Sequence, residues 1–180
     1  TGIEHNSERI KDGNLFIAQK GYNHDGHNFI EDAIKKGALA VVKNQDLDIN
    51  KNITIIDVID STDALGYFSA KYYHQSWTSL NTIGITGTNG KTTTSYIIKN
   101  ILEINNKKVG IIGTMGVLVD KEHIDIPNTT PDSLEIQRCL NVMYNNKIEY
   151  CIMEVSSHAL DMKRVKYMDF DVAIFTNLSK

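Results

Sequence analysis

A short stretch, "TGTNGKTTT" at 86–94, restricts most strongly what this chain can fold into. It follows the apolar run "NTIGI", which predicts a strand, and precedes "SYIIKNILEI", which has the spacing of an amphipathic helix. Gly87 and Gly90 allow backbone conformations that residues with a Cβ avoid, so successive N–H groups can converge on one anion. The positive end of a helix beginning at Lys91 adds to that attraction. The stretch therefore predicts a phosphate-binding loop.

The same loop carries side chains suited to a nucleotide and a cation. Lys91 can reach the β and γ phosphates of ATP, and Thr92 offers a hydroxyl to Mg²⁺. The usual pattern G-x-x-x-x-G-K-[ST] requires a glycine where this chain has Ile85, so the alternative is a strand-to-helix turn with an exposed lysine. The strand, loop and helix context favours nucleotide binding. The predicted nucleotide-binding residues are Gly87, Thr88, Asn89, Gly90, Lys91, Thr92 and Thr93.

Strand and helix patterns alternate along the chain. In the first part we expect strands at 15–18, 38–42 and 53–58, a helix at 28–36 and a second helix capped by Ser61. In the second part we expect strands at 82–85, 109–112, 150–155 and 171–175, helices at 91–104, 131–145 and near 158–165, and a hairpin or long loop over 113–128. The polar stretch 75–81 predicts a boundary near residue 78, which gives domains 1–78 and 79–180.

These patterns predict an α/β protein: a small N-terminal α/β domain, then a P-loop-type, mostly parallel sheet with flanking helices. The chain has 180 residues, of which 41% are hydrophobic, and a formal net charge of -3. Neither a membrane span nor a bulk positive charge for nucleic acid is present in the sequence. We expect a cytoplasmic monomer that has no membrane or nucleic-acid partner. Cys139 and Cys151 are interpreted as structural thiols.

Glu154 stands out because it ends an otherwise apolar strand, "YCIMEV". Ligands of parallel sheets gather at the carboxyl ends of the strands. A buried carboxylate without a partner is costly, so a cation is expected beside it. The alternative is an ion pair with a nearby lysine.

Four stretches together carry a resemblance to a known family: "GITGTNGKTTT", "GYNHDGHNFIEDAIKKGA" at 21–38, "NTTPDS" at 128–133 and "EVSSHAL" at 154–160, which Arg164 follows. The first resembles the loop of the Mur ligases and folylpolyglutamate synthetases. The combination resembles the UDP-N-acetylmuramoyl-tripeptide synthetase (MurE-type) branch of the Mur ligases. The resemblance runs from about residue 3 to 180.

This resemblance implies an ATP-dependent amide ligase of peptidoglycan precursor synthesis. Such an enzyme adds a diamino acid to UDP-MurNAc-L-Ala-D-Glu through an acyl phosphate. Members of the family are several times longer than one such domain, so the resemblance implies that the ATPase domain is truncated here, that the C-terminal ligase domain is absent and that the chain is inactive alone. The alternatives are a nucleotide or UDP-sugar binding module without turnover, and a folylpolyglutamate or cyanophycin type ligase.

The resemblance also implies roles for particular residues. Lys91 and Glu154 are implied to be catalytic, and Thr92, Glu154 and His158 to lie at the metal. The residues implied to bind substrate are Ser7, Tyr22, Asn23, His24, Asn128, Thr129, Thr130, Ser156 and Arg164. From the residues alone, Ser7 is equally consistent with a turn, and Thr129 and Thr130 with the cap of a helix that begins near Pro131.

Overall fold

The computed structural model describes residues 2–21, 24–49, 52–120, 122–124, 126 and 128–179. Its internal contacts divide the chain into two compact units, residues 1–72 and 73–180. This division lies a little before the boundary predicted near residue 78. The reason is that the single-turn helix Ser76–Ser79 packs on a helix of the second unit, where the Ser76 hydroxyl donates to Asn141 Oδ1 at 3.2 Å.

The first unit is built on a four-stranded parallel sheet in the order β1-β2-β3-β4. Its strands are β1 (Gly2–Glu4), β2 (Asn14–Ile17), β3 (Ala40–Lys43) and β4 (Thr54–Asp57), and its helices are α1 (Ile30–Lys35) and α2 (Ser61–Tyr72). Phe16 and Val41 are fully buried at the centre of its core. β1 was not predicted, because three residues are too short for a periodic signal.

Two helix starts in this unit differ from the prediction. The helix expected from residue 28 begins as a 3₁₀ turn, Gly26–Phe29, and becomes α1 only at Ile30. The predicted cap of α2 is wrong: Asp60, not Ser61, caps it, accepting from the N–H groups of Thr62 and Asp63. An aspartate one residue earlier reaches the free N–H groups of the first turn.

The second unit is a six-stranded sheet in the order β10-β5-β9-β6-β7-β8. Its strands are β5 (Asn81–Thr86), β6 (Val109–Gly113), β7 (Gly116–Val119), β8 (Glu122–Ile124), β9 (Tyr150–Glu154) and β10 (Val172–Phe175), and its helices are α3 (Lys91–Ile104), α4 (Ser133–Asn145) and α5 (Ser157–Asp161). β10, β5, β9 and β6 are parallel, whereas β6, β7 and β8 pair antiparallel. The predicted α/β class is confirmed, and the hairpin expected within 113–128 is β7–β8.

β9 explains why this sheet has core on both faces. Cys151 and Met153 belong to the cluster that includes α4 residues, whereas Ile152 between them belongs to the cluster on the α3 side. A strand covered on both faces reads as a continuous apolar run, which is the pattern seen before Glu154. β9 therefore brings Glu154 to the carboxyl end of a central, buried strand.

The helices of the second unit end or begin where local capping dictates. α3 spans the predicted residues, but α4 begins at Ser133, since Asp132 Oδ1 accepts from Glu135 N at 3.0 Å. The helix expected over 158–165 is shorter, because the chain leaves α5 after Asp161 and continues as turns.

Both cysteines are free and buried, in agreement with the structural interpretation. Burial raises the pKa of Cys139 and of Cys151 to about 12. Neither thiol can therefore act as a nucleophile near neutral pH. Within the part of the chain that the structure describes, no helix has the length and apolar character needed to cross a membrane.

A cluster of polar contacts in the first unit centres on Asp25. Its Oδ2 accepts from Gln45 Nε2 at 2.8 Å, and its Oδ1 accepts from the backbone N–H of His27 at 3.0 Å. These two hydrogen bonds, and then the contact of Oδ1 with His27 Nδ1 at 2.6 Å, lower the pKa of Asp25 from 3.8 to about 2. The ionised carboxylate is therefore the form that the folded unit prefers.

We expect Asp25→Ala to lower the free energy of unfolding by about 1–2 kcal/mol at neutral pH, because a cap and a charged hydrogen bond are lost. A lowered pKa gives stability that is complete above the ordinary value near 4 and declines as pH falls toward 2. The difference from the wild type should therefore shrink below about pH 4. Urea unfolding at pH 7, 4 and 2.5 measures it, with exposed Asp46→Ala as the control, and a difference independent of pH would contradict the assignment.

Candidate functional site

The loop between β5 and α3 has the backbone geometry that its glycines predict. Gly87 has φ +133° and Gly90 has φ +85°, in the region that L-residues avoid. Gly90 is the residue before α3, and the first helical bond runs from Thr94 N to Gly90 O at 2.9 Å. The N–H groups at 91–93 consequently have no acceptor within the helix and are available to an anion.

Lys91 bends back over this loop. Its Nζ donates to Gly87 O at 2.6 Å and to Thr88 O at 3.2 Å. The ammonium therefore lies against carbonyls of the loop that leads into the free N–H groups at 91–93. A bound phosphate group would replace these two carbonyl contacts of Lys91 with a charge-assisted hydrogen bond.

Glu154 is fully buried at the end of β9. One carboxylate oxygen, Oε2, accepts from Thr92 Oγ1 and from Thr114 Oγ1, both at 2.9 Å. The other oxygen, Oε1, has no hydrogen-bond partner among the residues that the structure describes. No lysine or arginine among the described residues forms an ion pair with Glu154. The alternative interpretation of Glu154, an ion pair with a nearby lysine, is therefore not found there.

This oxygen cluster fits a small divalent cation. A carboxylate oxygen without a partner and two hydroxyl oxygens are hard donors of the kind Mg²⁺ prefers. No group of three or more His, Cys, Asp or Glu suited to a metal occurs among the described residues. Mg²⁺ usually binds through one or two carboxylates and completes its shell with water and phosphate oxygens. Gly113 provides the space beside Glu154 Oε1, since a Cβ at this position would collide with that oxygen.

Thr130 joins the segment before α4 to the end of β9. It is buried, its Oγ1 donates to Glu154 O at 2.9 Å, and it accepts from Ser156 N at 3.1 Å. The Thr130 carbonyl in turn accepts from Arg164 NH1 at 2.6 Å. Since Asp132 caps α4, the alternative of a capping threonine does not apply to Thr130.

The remaining predicted residues of this unit lie around that junction. Thr129 Oγ1 is 3.1 Å from Thr114 Oγ1, so a chain of hydroxyls leads from Glu154 to Thr129. Asn128 and His158 are exposed, and the hydroxyls of Thr92 and Thr114 contact the Glu154 carboxylate. Ser156 Oγ accepts from Ala159 N at 3.1 Å and thus caps α5.

The predicted sugar-nucleotide residues lie in the first unit. Ser7 is buried in the turn Ser7–Arg9, and hydrogen bonds from Lys36 and then Ser7 lower the pKa of Asp32. His24 is exposed, and its carbonyl accepts from Gly21 N at 2.9 Å. Tyr22 and Asn23 lie outside the described residues. A cavity of about 430 Å³ in this unit is lined by His27, Asn28, Ile30, Glu31, Leu47, Asp48 and Ile49.

Sequence reasoning missed three residues that contact the site. Thr114 directly follows β6 and reaches Glu154, and its position after a parallel strand was a signal that could have found it. Thr176 and Asn177 follow β10 and contact the phosphate loop. No local pattern marked them, because the contact depends on β10 lying next to β5.

Four parallel strands in a mixed sheet, a two-glycine loop leading into a helix and a buried carboxylate on the neighbouring strand define a P-loop-type α/β unit with a variant loop. Residues 85–180 match the family model described as "Mur ligase middle domain". Residues 1–73 match the model described as "Mur ligase family, catalytic domain". The chain belongs to the Mur ligase family.

The chain is similar to ligases of one kind in several bacteria. It is 42% identical over 180 residues to the UDP-N-acetylmuramoyl-L-alanyl-D-glutamate--2,6-diaminopimelate ligase of Caldanaerobacter subterraneus subsp. tengcongensis, covering 100% of this chain and 37% of that protein. It is 43% identical to the enzyme of the same name from Clostridium perfringens, covering 99% of this chain and 37% of that protein. The chain thus spans about 37% of the length of these relatives.

The chain is also similar in structure to solved Mur ligases. A UDP-N-acetylmuramoyl-L-alanyl-D-glutamate--2,6-diaminopimelate ligase superposes with a TM-score of 0.87 at 29% identity, covering 99% of this chain and 36% of that chain. The MurF ligase of Thermotoga maritima, solved in complex with ADP, superposes with a TM-score of 0.64 at 27% identity, covering 97% of this chain and 37% of that one.

We expect Glu154→Gln to raise the free energy of unfolding of the protein without metal by about 1 kcal/mol, because a buried carboxylate with an unpaired oxygen becomes a neutral amide of the same shape. The hydroxyls of Thr92 and Thr114 can still donate to the amide oxygen. Urea unfolding in a chelating buffer measures the change. Exposed Glu122→Gln is the control, and a clear loss of stability would show that Oε1 is satisfied in solution.

Proposed function

We propose that this chain provides the UDP-sugar-binding and nucleotide-binding parts of an ATP-dependent ligase. That ligase adds a diamino acid to UDP-MurNAc-L-Ala-D-Glu. The single observation that carries the proposal is the convergence of the loop lysine, the loop threonine and a buried carboxylate at one sheet edge, through the contacts of Lys91, Thr92 and Glu154. The names of the relatives support the choice of substrate.

The proposed reaction has two displacement steps, the first at the γ-phosphorus of ATP and the second at the acyl carbon. A carboxylate oxygen of the D-glutamyl residue attacks the γ-phosphorus of ATP, and the bond to ADP breaks, giving an acyl phosphate. The amine of the incoming amino acid then attacks the acyl carbon, loses a proton and expels inorganic phosphate. No described side chain is positioned as a covalent nucleophile, so the contribution of the protein is positioning and charge neutralisation.

Each part of the loop has a role in the first displacement. The free N–H groups at 91–93 bind phosphate oxygens, and Lys91 neutralises the charge that spreads over the γ-phosphoryl oxygens. Thr92 and Glu154, with Thr114 beside them, would hold Mg²⁺, which when bound supplies electrostatic stabilisation to the phosphates. His158 is retained as a proposed neighbour of the metal only.

The groups around Thr130 are proposed to receive the sugar-peptide. Arg164 donates one N–H to the Thr130 carbonyl, and among the described residues no carboxylate pairs with its guanidinium. Its remaining donors suit the carboxylate or phosphate of a substrate. Thr129 and exposed Asn128 precede Thr130 directly, and Ser156 N donates to Thr130 Oγ1 at 3.1 Å, so all three add polar groups to this part of the chain. In the first unit, Ser7, Tyr22, Asn23 and His24 are proposed for the uridine diphosphate part.

We expect Lys91→Ala to reduce ATP-dependent ligation by the full-length protein about 100-fold or more, since the charge that stabilises the transferring phosphoryl group is lost. Phosphate release with UDP-MurNAc-L-Ala-D-Glu and diaminopimelate measures the rate. Exposed Lys108→Ala in the same unit is the control. Retention of most of the activity by Lys91→Ala would refute the role of the loop.

We expect the chain to bind UDP-MurNAc-L-Ala-D-Glu saturably and more tightly than UDP, because the muramoyl dipeptide adds contacts beyond the nucleotide. Calorimetric titration of the folded chain with each compound measures the difference. Equal affinity for both would favour a UDP-sugar binding module without recognition of the peptide. Binding of neither would overturn the substrate assignment and favour a folylpolyglutamate or cyanophycin type ligase.

A further inference from the structure

The segment after β10 is attached to the phosphate loop by a dense set of hydrogen bonds. β10 pairs with β5 as far as Phe175 and Thr86, and the next two residues continue alongside the loop. Thr176 N donates to Thr86 O at 2.9 Å, and Thr88 N donates to Asn177 O at 2.9 Å. The backbone of this segment thus extends the strand pairing past the end of β5.

Asn177 adds a second kind of contact with its side chain. Its Oδ1 accepts from Asn89 N at 3.1 Å, while its Nδ2 donates to Asn89 O at 2.9 Å. The carboxamide of Asn177 therefore pairs with the backbone N–H and C=O of Asn89, as the backbone of a neighbouring strand would. Thr176 Oγ1 also donates to Asn89 O, at 2.7 Å.

These bonds decide which loop donors remain for an anion. The N–H groups of Thr88 and Asn89 are both engaged by Asn177. Among the described residues, the N–H groups from Gly90 to Thr93 have no acceptor, and they are the ones at the start of α3. The anion site is therefore confined to the helix start, one or two residues beyond the middle of the loop.

The need for Gly87 has the same origin. A Cβ at Gly87 would collide with Thr176 Oγ1 and would lie 2.8 Å from Asn177 O and 3.0 Å from Asn177 N. A larger residue would separate the loop from the segment after β10. The positive φ and the close approach of a second chain segment thus both require glycine there.

We propose that Asn177 is a positioning residue that holds the phosphate loop in its anion-binding shape before nucleotide arrives. This inference rests on the proposed function for the identity of the anion, a nucleoside triphosphate. Asn177 acts through its two hydrogen bonds to the backbone of Asn89. A loop ordered in advance loses less conformational freedom on binding, so affinity rises without a new contact to the ligand.

The test compares Asn177→Ala with Leu178→Ala in the full chain, because Leu178 is adjacent and 84% exposed. Two readouts are taken: amide hydrogen exchange of Thr88 and Asn89 without nucleotide, and calorimetric affinity for ATP. We expect Asn177→Ala to speed hydrogen exchange at Asn89 about tenfold or more and to weaken ATP binding about tenfold. This is the scale expected when the neutral hydrogen bonds that order the loop are lost. Leu178→Ala should change neither.

A further variant and the two readouts separate the possible outcomes. Thr176→Val keeps the shape of the segment but removes one donor to Asn89, so it should give a smaller shift in the same direction. Unchanged exchange at Asn89 in Asn177→Ala would overturn the inference whatever the chain binds. Faster exchange with unchanged ATP affinity would also overturn it. A wild-type chain that binds no ATP would instead refute the proposed function, while the exchange data would still judge the role of Asn177 in the loop.

Discussion

The hydrogen bonds made to the buried residue Glu154 are the interactions on which the arrangement of the second unit depends. β9 brings it between β5 and β6, and its Oε2 receives hydroxyls from the start of α3 and from the residue after β6. The backbone carbonyl of the same residue receives the Thr130 hydroxyl. Three segments distant in sequence are therefore oriented by one residue, and moving it would disturb all of them.

The burial of Glu154 also lowers the stability of the fold at the carboxyl end of β9. A buried carboxylate oxygen without a donor opposes folding, and burial of β9 on both faces offsets the cost. A site made in advance for a cation has this property, since a fully satisfied carboxylate would bind metal only after losing its partners. For the proposed cation site, stability without metal and affinity for the cation therefore make opposite demands on Glu154 Oε1.

The elements of this fold that could be predicted from sequence are those specified by local chemistry. The loop glycines, the full span of α3 and the strand leading to Glu154 follow from periodicity and from residue type. The caps were harder, because Asp60 and Ser61 are both suitable and only geometry selects one. Thr176 and Asn177 were out of reach, since their contacts cross about 90 residues and depend on strand order, which no local pattern encodes. Thr114 could have been found, because it directly follows a predicted parallel strand.

Two histidines of the first unit show how structure separates residues that look alike in sequence. His27 is buried, its Nδ1 contacts Asp25, and its Nε2 accepts from Asn44 N at 3.3 Å, so both ring nitrogens are engaged within the fold. His24, three residues earlier, is exposed on the loop between Gly21 and Gly26. A ring whose two nitrogens already have partners has no free nitrogen to hydrogen-bond a ligand, so His24 is the better candidate for such a bond from this loop. The role of His24, which the resemblance implies, stays a prediction.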